Sequence, residues 1–408
     1  MPDAVRPLAP ARRIGFDAIR AVRNATGLGN YSRDILRALH RVYPRLDLRL
    51  YSPLPPRAKY GDVPGELNAD LQLPPYDTTN PISRALWRTF RLGRVAARDR
   101  VELYHGLTHE IPRDLPATGI PSVLTVHDLI FEKHPQYFPF FDRASYRWRY
   151  RWSAQHADAI VAVSEQTRSD LVTIYHVDPA RITVLPPARN PVFMVPVPAA
   201  ERTGIRARYG IPDRFVLSVG TLEPRKNQAL LIDALSQLDP AIVPMLVLVG
   251  RDGGSLVDLK RLIARLDLGA RVRIVHDVTT AHLPALMQSA TLFLYPSLAE
   301  GFGMPVAEAL SAGTPVIAAR EGGLSDAGGP DTRYAAAEDA TAWAAAMLEL
   351  SENAEARDRM SAAGQLFAMR FDGERVAARL MAVYDAVLSG GTPPAHRPPA
   401  EAVMERAH

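Results

Sequence analysis

The stretch Thr291-Leu-Phe-Leu-Tyr295-Pro-Ser-Leu-Ala-Glu300-Gly-Phe-Gly-Met-Pro305-Val-Ala-Glu308-Ala-Leu-Ser-Ala-Gly-Thr-Pro315-Val-Ile-Ala318 reads as strand, glycine loop, helix and strand in succession. Residues 291–295 and 315–318 are short apolar runs of the kind buried in a sheet covered on both faces. Pro305 suits a first helical position, where a missing N–H costs nothing. Two strands joined through a helix pair in parallel.

The same grammar extends in both directions. Strands are predicted at 215–219, 245–249 and 272–275, with helices at 228–238, 256–266 and 281–289 between them. The first half repeats it: strands at 13–17, 46–51, 101–105, 123–127, 159–163 and 182–185, and helices at 30–42 and 165–175, the latter capped by Ser164. Between the halves, residues 186–201 carry prolines at 186, 187, 191, 196 and 198, which suits a linker and not a sheet interior. Three further helices are predicted at 341–350, 354–369 and 374–388. The fold class expected is α/β, with two Rossmann-like parallel-sheet domains facing a cleft. The expected boundaries are 1–195 and 196–372, then a helix at 373–389 returning to the first domain and a disordered tail at 390–408.

Composition removes several function classes. The 408 residues contain no Cys, which excludes disulfides, thiolate metal sites and cysteine nucleophiles. The net charge of +4 is mild and almost all Arg, and no nucleic-acid-binding module appears, so nucleic acid is not expected as a partner. No stretch reaches the roughly 18 apolar residues of a membrane span, and Met1 to Arg13 has no apolar run of signal-peptide length. A cytoplasmic location is expected, with peripheral contact at the inner face of the plasma membrane as an extension of it.

In such sheets ligands bind beyond the carboxyl ends of the strands, and the chemically rich residues fall there. The strand ending at Val219 empties into Gly220-Thr-Leu-Glu-Pro-Arg225-Lys226-Asn227 ahead of a helix. Two cations beside helix N–H groups can converge on a dianion, although a solvated pair would read the same way. After residue 295, Gly301 and Gly303 let backbone approach a ligand, and the helix that follows favours a negative group at its start. Glu300 lies in this loop and Glu308 about one turn inside the helix. No His, Asp or Glu cluster has metal-ligand spacing, so no metal site is expected.

The run Glu300 to Ile317, together with Ser218 to Asn227, Leu246 to Gly250, Ser164 and Thr26-Gly-Leu-Gly-Asn-Tyr31, resembles the retaining GT-B glycosyltransferases of family 4 and their E-x7-E signature. The resemblance covers nearly the whole chain. It implies that Arg225 and Lys226 neutralise a donor diphosphate, that Glu308 holds the ribose, and that Glu300 contacts the donor sugar with backbone at Phe302 and Gly303 nearby. It further implies that Gly27 and Gly29 face the phosphates, with Asn30 capping the next helix, and that His127 sits by the donor sugar in a positioning role. The Asp128 beside His127 suggests a general base, but in this fold the donor phosphate is thought to take the acceptor's proton. His105 and His109 also follow a strand end and are weaker candidates. No cofactor is implied beyond the nucleotide sugar as co-substrate.

There are departures from the family pattern at Leu324-Ser-Asp326-Ala and at Pro187-Ala-Arg189-Asn190. The flavour of Thr125 to Pro135 is that of bacterial surface-polysaccharide mannosyltransferases, which makes GDP-mannose the favoured donor over UDP- and dTDP-sugars. The expected acceptor is a glycan or a polyprenyl-diphosphate-linked sugar. Arg84, Arg88, Arg91, Arg94 and Arg98, with Leu86, Trp87 and Phe90, and the cluster Arg143 to Trp152 fit either an anionic membrane surface or a solvated helix face. A two-lobed binding protein, a sugar-nucleotide epimerase and an inactive partner subunit are the competing readings.

Overall fold

Two parallel sheets organise the chain. In the computed structural model, which describes residues 12–394, the first sheet holds β1 (Arg13–Asp17), β2 (Asp47–Tyr51), β3 (Asp70–Gln72), β4 (Leu103–Gly106), β5 (Ser122–Val126), β6 (Ala159–Ala162) and β7 (Ile182–Val184), in the order 3-2-1-4-5-6-7. The second holds β8 (Phe215–Val219), β9 (Met245–Val249), β10 (Val272–Val275), β11 (Leu292–Tyr295), β12 (Val316–Ala319) and β13 (Arg333–Ala335), in the order 10-9-8-11-12-13. Every pairing is parallel. Strand order reverses between β1 and β4 and between β8 and β11, and the loops leaving those strands open into the cleft. The central strands are apolar on both faces because helices cover both.

The edge strands β3 and β13 escaped the sequence reading. Each is three residues long and partly exposed, so neither has the continuous apolar run that marks the others. The helix Ala199–Tyr209 was also missed, because its first residues lie in the proline-rich segment expected to be linker. That segment is well packed. Phe193 is buried in the second domain's core, and the backbone N–H of Arg189 donates to Phe371 O at 2.8 Å. The departure at Arg189 thus pins the two interdomain crossings together, with Asp372 3.7 Å from its buried guanidinium.

Beyond the second crossing, Asp372 caps the helix Gly373–Leu388, its side chain accepting from Glu374 N at 2.9 Å. This helix lies on the helix Gly27–Val42 and buries Val376, Leu380, Val383 and Tyr384 in the first domain's core. Burying four such side chains contributes several kcal/mol at roughly 2 kcal/mol each. Of the tail expected to be disordered, residues 395–408 lie outside the described residues, and Pro394 is held to β7, its carbonyl accepting from Thr183 Oγ1 at 2.9 Å.

Candidate active site

The wall contributed by the second domain starts at β8. The chain leaves Val219, turns through Pro224–Lys226 and reaches Asn227 in the left-handed conformation, φ +55°. Asn tolerates that region better than most residues, and its Nδ2 donates to Ala337 O at 2.7 Å. The turn sets Arg225 and Lys226 side by side. Lys226 Nζ donates to Tyr295 Oη at 2.8 Å and forms an ion pair with Glu300 Oε1. Arg225 reaches Glu300 Oε2 at 3.3 Å, Ala299 O at 2.5 Å and Glu223 Oε1 at 2.6 Å. Tyr295 Oη donates to Glu300 Oε1 at 3.0 Å.

Burial alone would neutralise these groups. It would raise the Glu300 pKa, but Lys226 and Arg225 overcome it and hold the carboxyl down at about 2. Burial opposes the Arg225 charge too, and Glu300 and Glu223 outweigh it, keeping the guanidinium firmly protonated. Lys226 is shifted down by desolvation against the pull of Glu300. The outcome is two ordered cations sharing one ionised carboxylate.

The loop after β11 is shaped by contacts that leave no space for side chains. A Cβ on Gly301 would lie 2.0 Å from His127 O, and one on Gly323 would lie 2.2 Å from Gly301 O. Gly303 has φ +105° and precedes the helix Met304–Ser311, which starts one residue earlier than Pro305 suggested. Phe302 turns its ring inward, edge-on to Phe371 at 5.2 Å. The charge of Asp34 in the first domain acts on Glu308. Burial, with Asp34 second, raises the Glu308 pKa to about 8, and burial raises Asp34 to about 6 against Arg37 and Arg33.

In the opposite wall His127 follows β5. Its Nε2 lies 2.9 Å from Leu107 O, which calls for a proton on that nitrogen and leaves Nδ1 as the acceptor. Tyr31 stands edge-on to the ring at 4.5 Å, and Thr167 Oγ1 donates to His127 O at 3.1 Å. Desolvation, then His109, pushes the His127 pKa down, so the imidazole is neutral. His109 is buried at φ +63°, stacked on Tyr150 and 5.2 Å from His127. His105 is fully buried with both ring nitrogens occupied, Nδ1 by Tyr384 Oη at 2.6 Å and Nε2 by Thr125 Oγ1 at 2.8 Å, so it offers no free nitrogen to a substrate.

The glycine segment differs from expectation. The helix Gly27–Val42 begins at Gly27 after Thr26, so Asn30 is not its cap but lies inside it, with Oδ1 accepting from Arg33 at 2.6 Å. Gly29 is a packing glycine, since a Cβ there would meet Asn24 O at 2.0 Å, whereas nothing lies within 4 Å of one on Gly27. Asp326, in the other departure from the family pattern, accepts from Glu165 N at 3.2 Å and bridges the domains.

Between the walls lies a cavity of about 200 Å³ lined by Asp128, Lys133, Gln166, Asp170, Glu300 and Glu321 among others. Several of the site's residues were not anticipated: Tyr295, Glu223, Asp34 and Tyr31. Tyr295 could have been found as the polar end of an apolar strand, whereas Asp34 becomes notable only through its charge acting on Glu308 of the other domain.

Residues 25–192 match the family described as "Glycosyltransferase Family 4", and residues 201–367 match "Glycosyl transferases group 1". A D-inositol 3-phosphate glycosyltransferase of Salinispora tropica is 32% identical over 285 residues, which span 65% of this chain and only 59% of that relative. The O-antigen chain mannosyltransferase B of Escherichia coli is 28% identical over 380 residues, covering 88% of this chain and 96% of that protein. The crystal structure of Anabaena HepE with UDP-glucose superposes with a TM-score of 0.72 at 19% identity, over 92% of this chain and 99% of that one.

Proposed function

The chain belongs to the family 4 glycosyltransferases, and on that premise we propose that it moves a hexosyl group from a nucleotide sugar to a glycan or lipid-linked sugar acceptor, with the anomeric configuration retained. The observation that carries this reading is the Arg225–Lys226 pair ordered around Glu300 at the cleft. A diphosphate arriving there meets cations already held by Glu223, Glu300 and Tyr295, so little ordering cost remains. As the glycosidic bond breaks, negative charge grows on the leaving diphosphate. Fixed cations stabilise that state more than the ground state, which is what accelerates the step.

Glu300, ionised, accepts hydrogen bonds from sugar hydroxyls, with Phe302 and Gly303 backbone beside it. Glu308 holds the ribose. The neutral His127 presents polarity to the sugar without acting as the base, and the donor phosphate takes the acceptor's proton. Gly27 gives the diphosphate an open approach from the first domain. The interdomain cavity carries four carboxylates, Asp128, Asp170, Glu300 and Glu321, against the single cation Lys133, which suits a neutral polyhydroxylated ring better than an anionic one.

For the donor we propose GDP-mannose, supported by the similarity to the E. coli mannosyltransferase along almost that protein's full length. Thermal shift with a panel of nucleotide sugars in EDTA, followed by nucleotide release, tests both levels. Stabilisation by GDP and GDP-mannose alone is expected. A UDP or dTDP response would overturn the donor, and no response from any nucleotide would overturn the transferase reading.

The first domain supports a peripheral membrane role. No helix among the described residues is long and apolar enough to cross a membrane. The helix Pro81–Phe90 buries Trp87 but leaves Ile82, Leu86 and Phe90 exposed, and the helix Phe140–His156 exposes Phe140, Phe141 and Trp148. The two helices meet around Arg113, whose guanidinium stacks on Trp148 at 3.7 Å and whose N–H donates to Thr89 O at 2.7 Å. Arginines interleaved with exposed aromatics suit an anionic lipid interface.

A further inference from the structure

The last helix among the described residues, Gly373–Leu388, contributes a polar atom to the buried interior behind His127. Tyr384 Oη lies 2.6 Å from His105 Nδ1, His105 Nε2 lies 2.8 Å from Thr125 Oγ1, and Thr125 Oγ1 lies 3.1 Å from Tyr31 Oη. Tyr384, His105 and Thr125 are completely buried and Tyr31 nearly so. The row ends at the cleft, where the Tyr31 ring stands edge-on to His127, interplanar angle 88°.

We infer that Tyr384, His105, Thr125 and Tyr31 form a positioning relay that fixes the ring orientation and tautomer of His127 from the C-terminal helix. His127 is held from two sides, and the relay governs both. Tyr31 supports the ring's flank. Leu107 O, which takes the Nε2 proton, lies two residues past His105, on the tight exit of β4 where a Cβ on Gly106 would lie 2.1 Å from Glu110 O. Anchoring His105 at both nitrogens therefore anchors the carbonyl that selects the His127 tautomer. The three hydrogen bonds can run in one direction, Tyr384 donating to His105 Nδ1, His105 Nε2–H to Thr125 Oγ1 and the Thr125 hydroxyl to Tyr31 Oη, or all three reverse; in each case the proton of one terminal tyrosine hydroxyl points out of the row. Either way His105 carries one proton, in accord with the burial that keeps it neutral. A fully connected buried network specifies one arrangement, and removing one hydroxyl leaves its neighbour unpaired. The relay gives the last described helix a role beyond the apolar contacts that dock it on the first domain, because Tyr384 supplies the row's last member.

The inference rests on the transferase reading for its catalytic consequence but not for its structural one, and two measurements on the full-length protein separate them. Nitrogen-15 spectra of the histidine rings, with His127 assigned through His127→Asn, should show a single Nε2–H tautomer in the wild type. Tyr384→Phe and Thr125→Val should shift or broaden that signal, and Thr125→Ser should restore it. In turnover, both disrupting variants should lower kcat about ten- to a hundredfold, as small misplacements do, with donor KM and nucleoside diphosphate affinity unchanged. Tyr384→Phe added to His127→Asn should cost nothing further. An unaltered His127 signal in folded Tyr384→Phe and Thr125→Val, or losses that multiply in the double variant, would overturn the relay. If Tyr384→Phe does not fold, the Val and Ser variants at 125 decide. A wild type inactive with every nucleotide sugar would count against the proposed function, while the ring spectra would still decide this inference.

Discussion

Glu300 sits between two cations that would repel each other without it. Glu300→Ala should therefore lower unfolding stability by on the order of 3 kcal/mol, the cost of leaving buried charge unpaired. Adding a nucleoside diphosphate should recover part of that loss, because an anion then replaces the carboxylate. Denaturant titration with and without the nucleotide measures both effects, and an equal loss in the two would place the diphosphate elsewhere. Lys226→Ala should reduce kcat/KM by about a hundredfold or more, as for a lost electrostatic partner of the transition state. Glu308 behaves differently. Its folded pKa of about 8 lies above the ordinary carboxyl value, so stability is full at acid pH and falls as pH rises toward 8, while the unfolded chain ionises and the folded one keeps its proton. Asp34, raised to about 6, adds to the same slope at its lower end. Melting temperatures across pH 5 to 9, a window set around those two values, should decline less steeply in Glu308→Gln.

Turns and helix starts carry the next level. Gly27 lies in a first helical turn with open space around its missing Cβ, so Gly27→Ala should be neutral or stabilising by up to about 1 kcal/mol. If activity nonetheless falls, Gly27 is where backbone meets the diphosphate; if both are unchanged, that role is gone. Gly301→Ala has no such freedom, because the new Cβ would drive the loop off His127 O. It should abolish activity even where thermal melting shows a folded protein, since it would separate the loop carrying Glu300 from His127, the two residues proposed to meet the donor sugar. The helix Gly27–Val42 also shows how a boundary misreads. A Gly-Leu-Gly run suggests a loop with a cap at Asn30, but Thr26 already starts the helix, and Gly29 serves the close approach of Asn24.

Across the whole molecule, two helices of the first domain leave Ile82, Leu86, Phe90, Phe140 and Phe141 exposed. Phe140→Ser with Phe141→Ser should weaken co-sedimentation with vesicles containing anionic lipid and leave nucleotide binding intact. Equal binding to neutral and anionic vesicles would remove the membrane role. The sequence left these helices open between a solvated surface and a membrane surface. Packing divides them: Trp87 turns into the core, Arg88 pairs with Asp17 at 2.6 Å, and the apolar side chains on either side stay outside.

Residues 291–318 and 215–227 marked the second domain's fold, and the apolar runs of the first half repeated it, because a doubly covered parallel strand must be apolar throughout and its loop must carry whatever chemistry the cleft performs. The same logic pointed to Arg225, Lys226, Glu300 and Glu308 as residues at or just beyond strand ends, and the family resemblance supplied the roles expected of them and of His127. Only the tertiary structure decided who faces whom. Tyr295 bonded to both Lys226 and Glu300, and Tyr384 bonded to His105, join residues 5 to 279 positions apart. No local pattern records such pairs, since each depends on the loop path or on a second crossing between domains. The short edge strands β3 and β13 were illegible for a related reason: their pairing is supplied by a neighbour and leaves little apolar imprint on three residues.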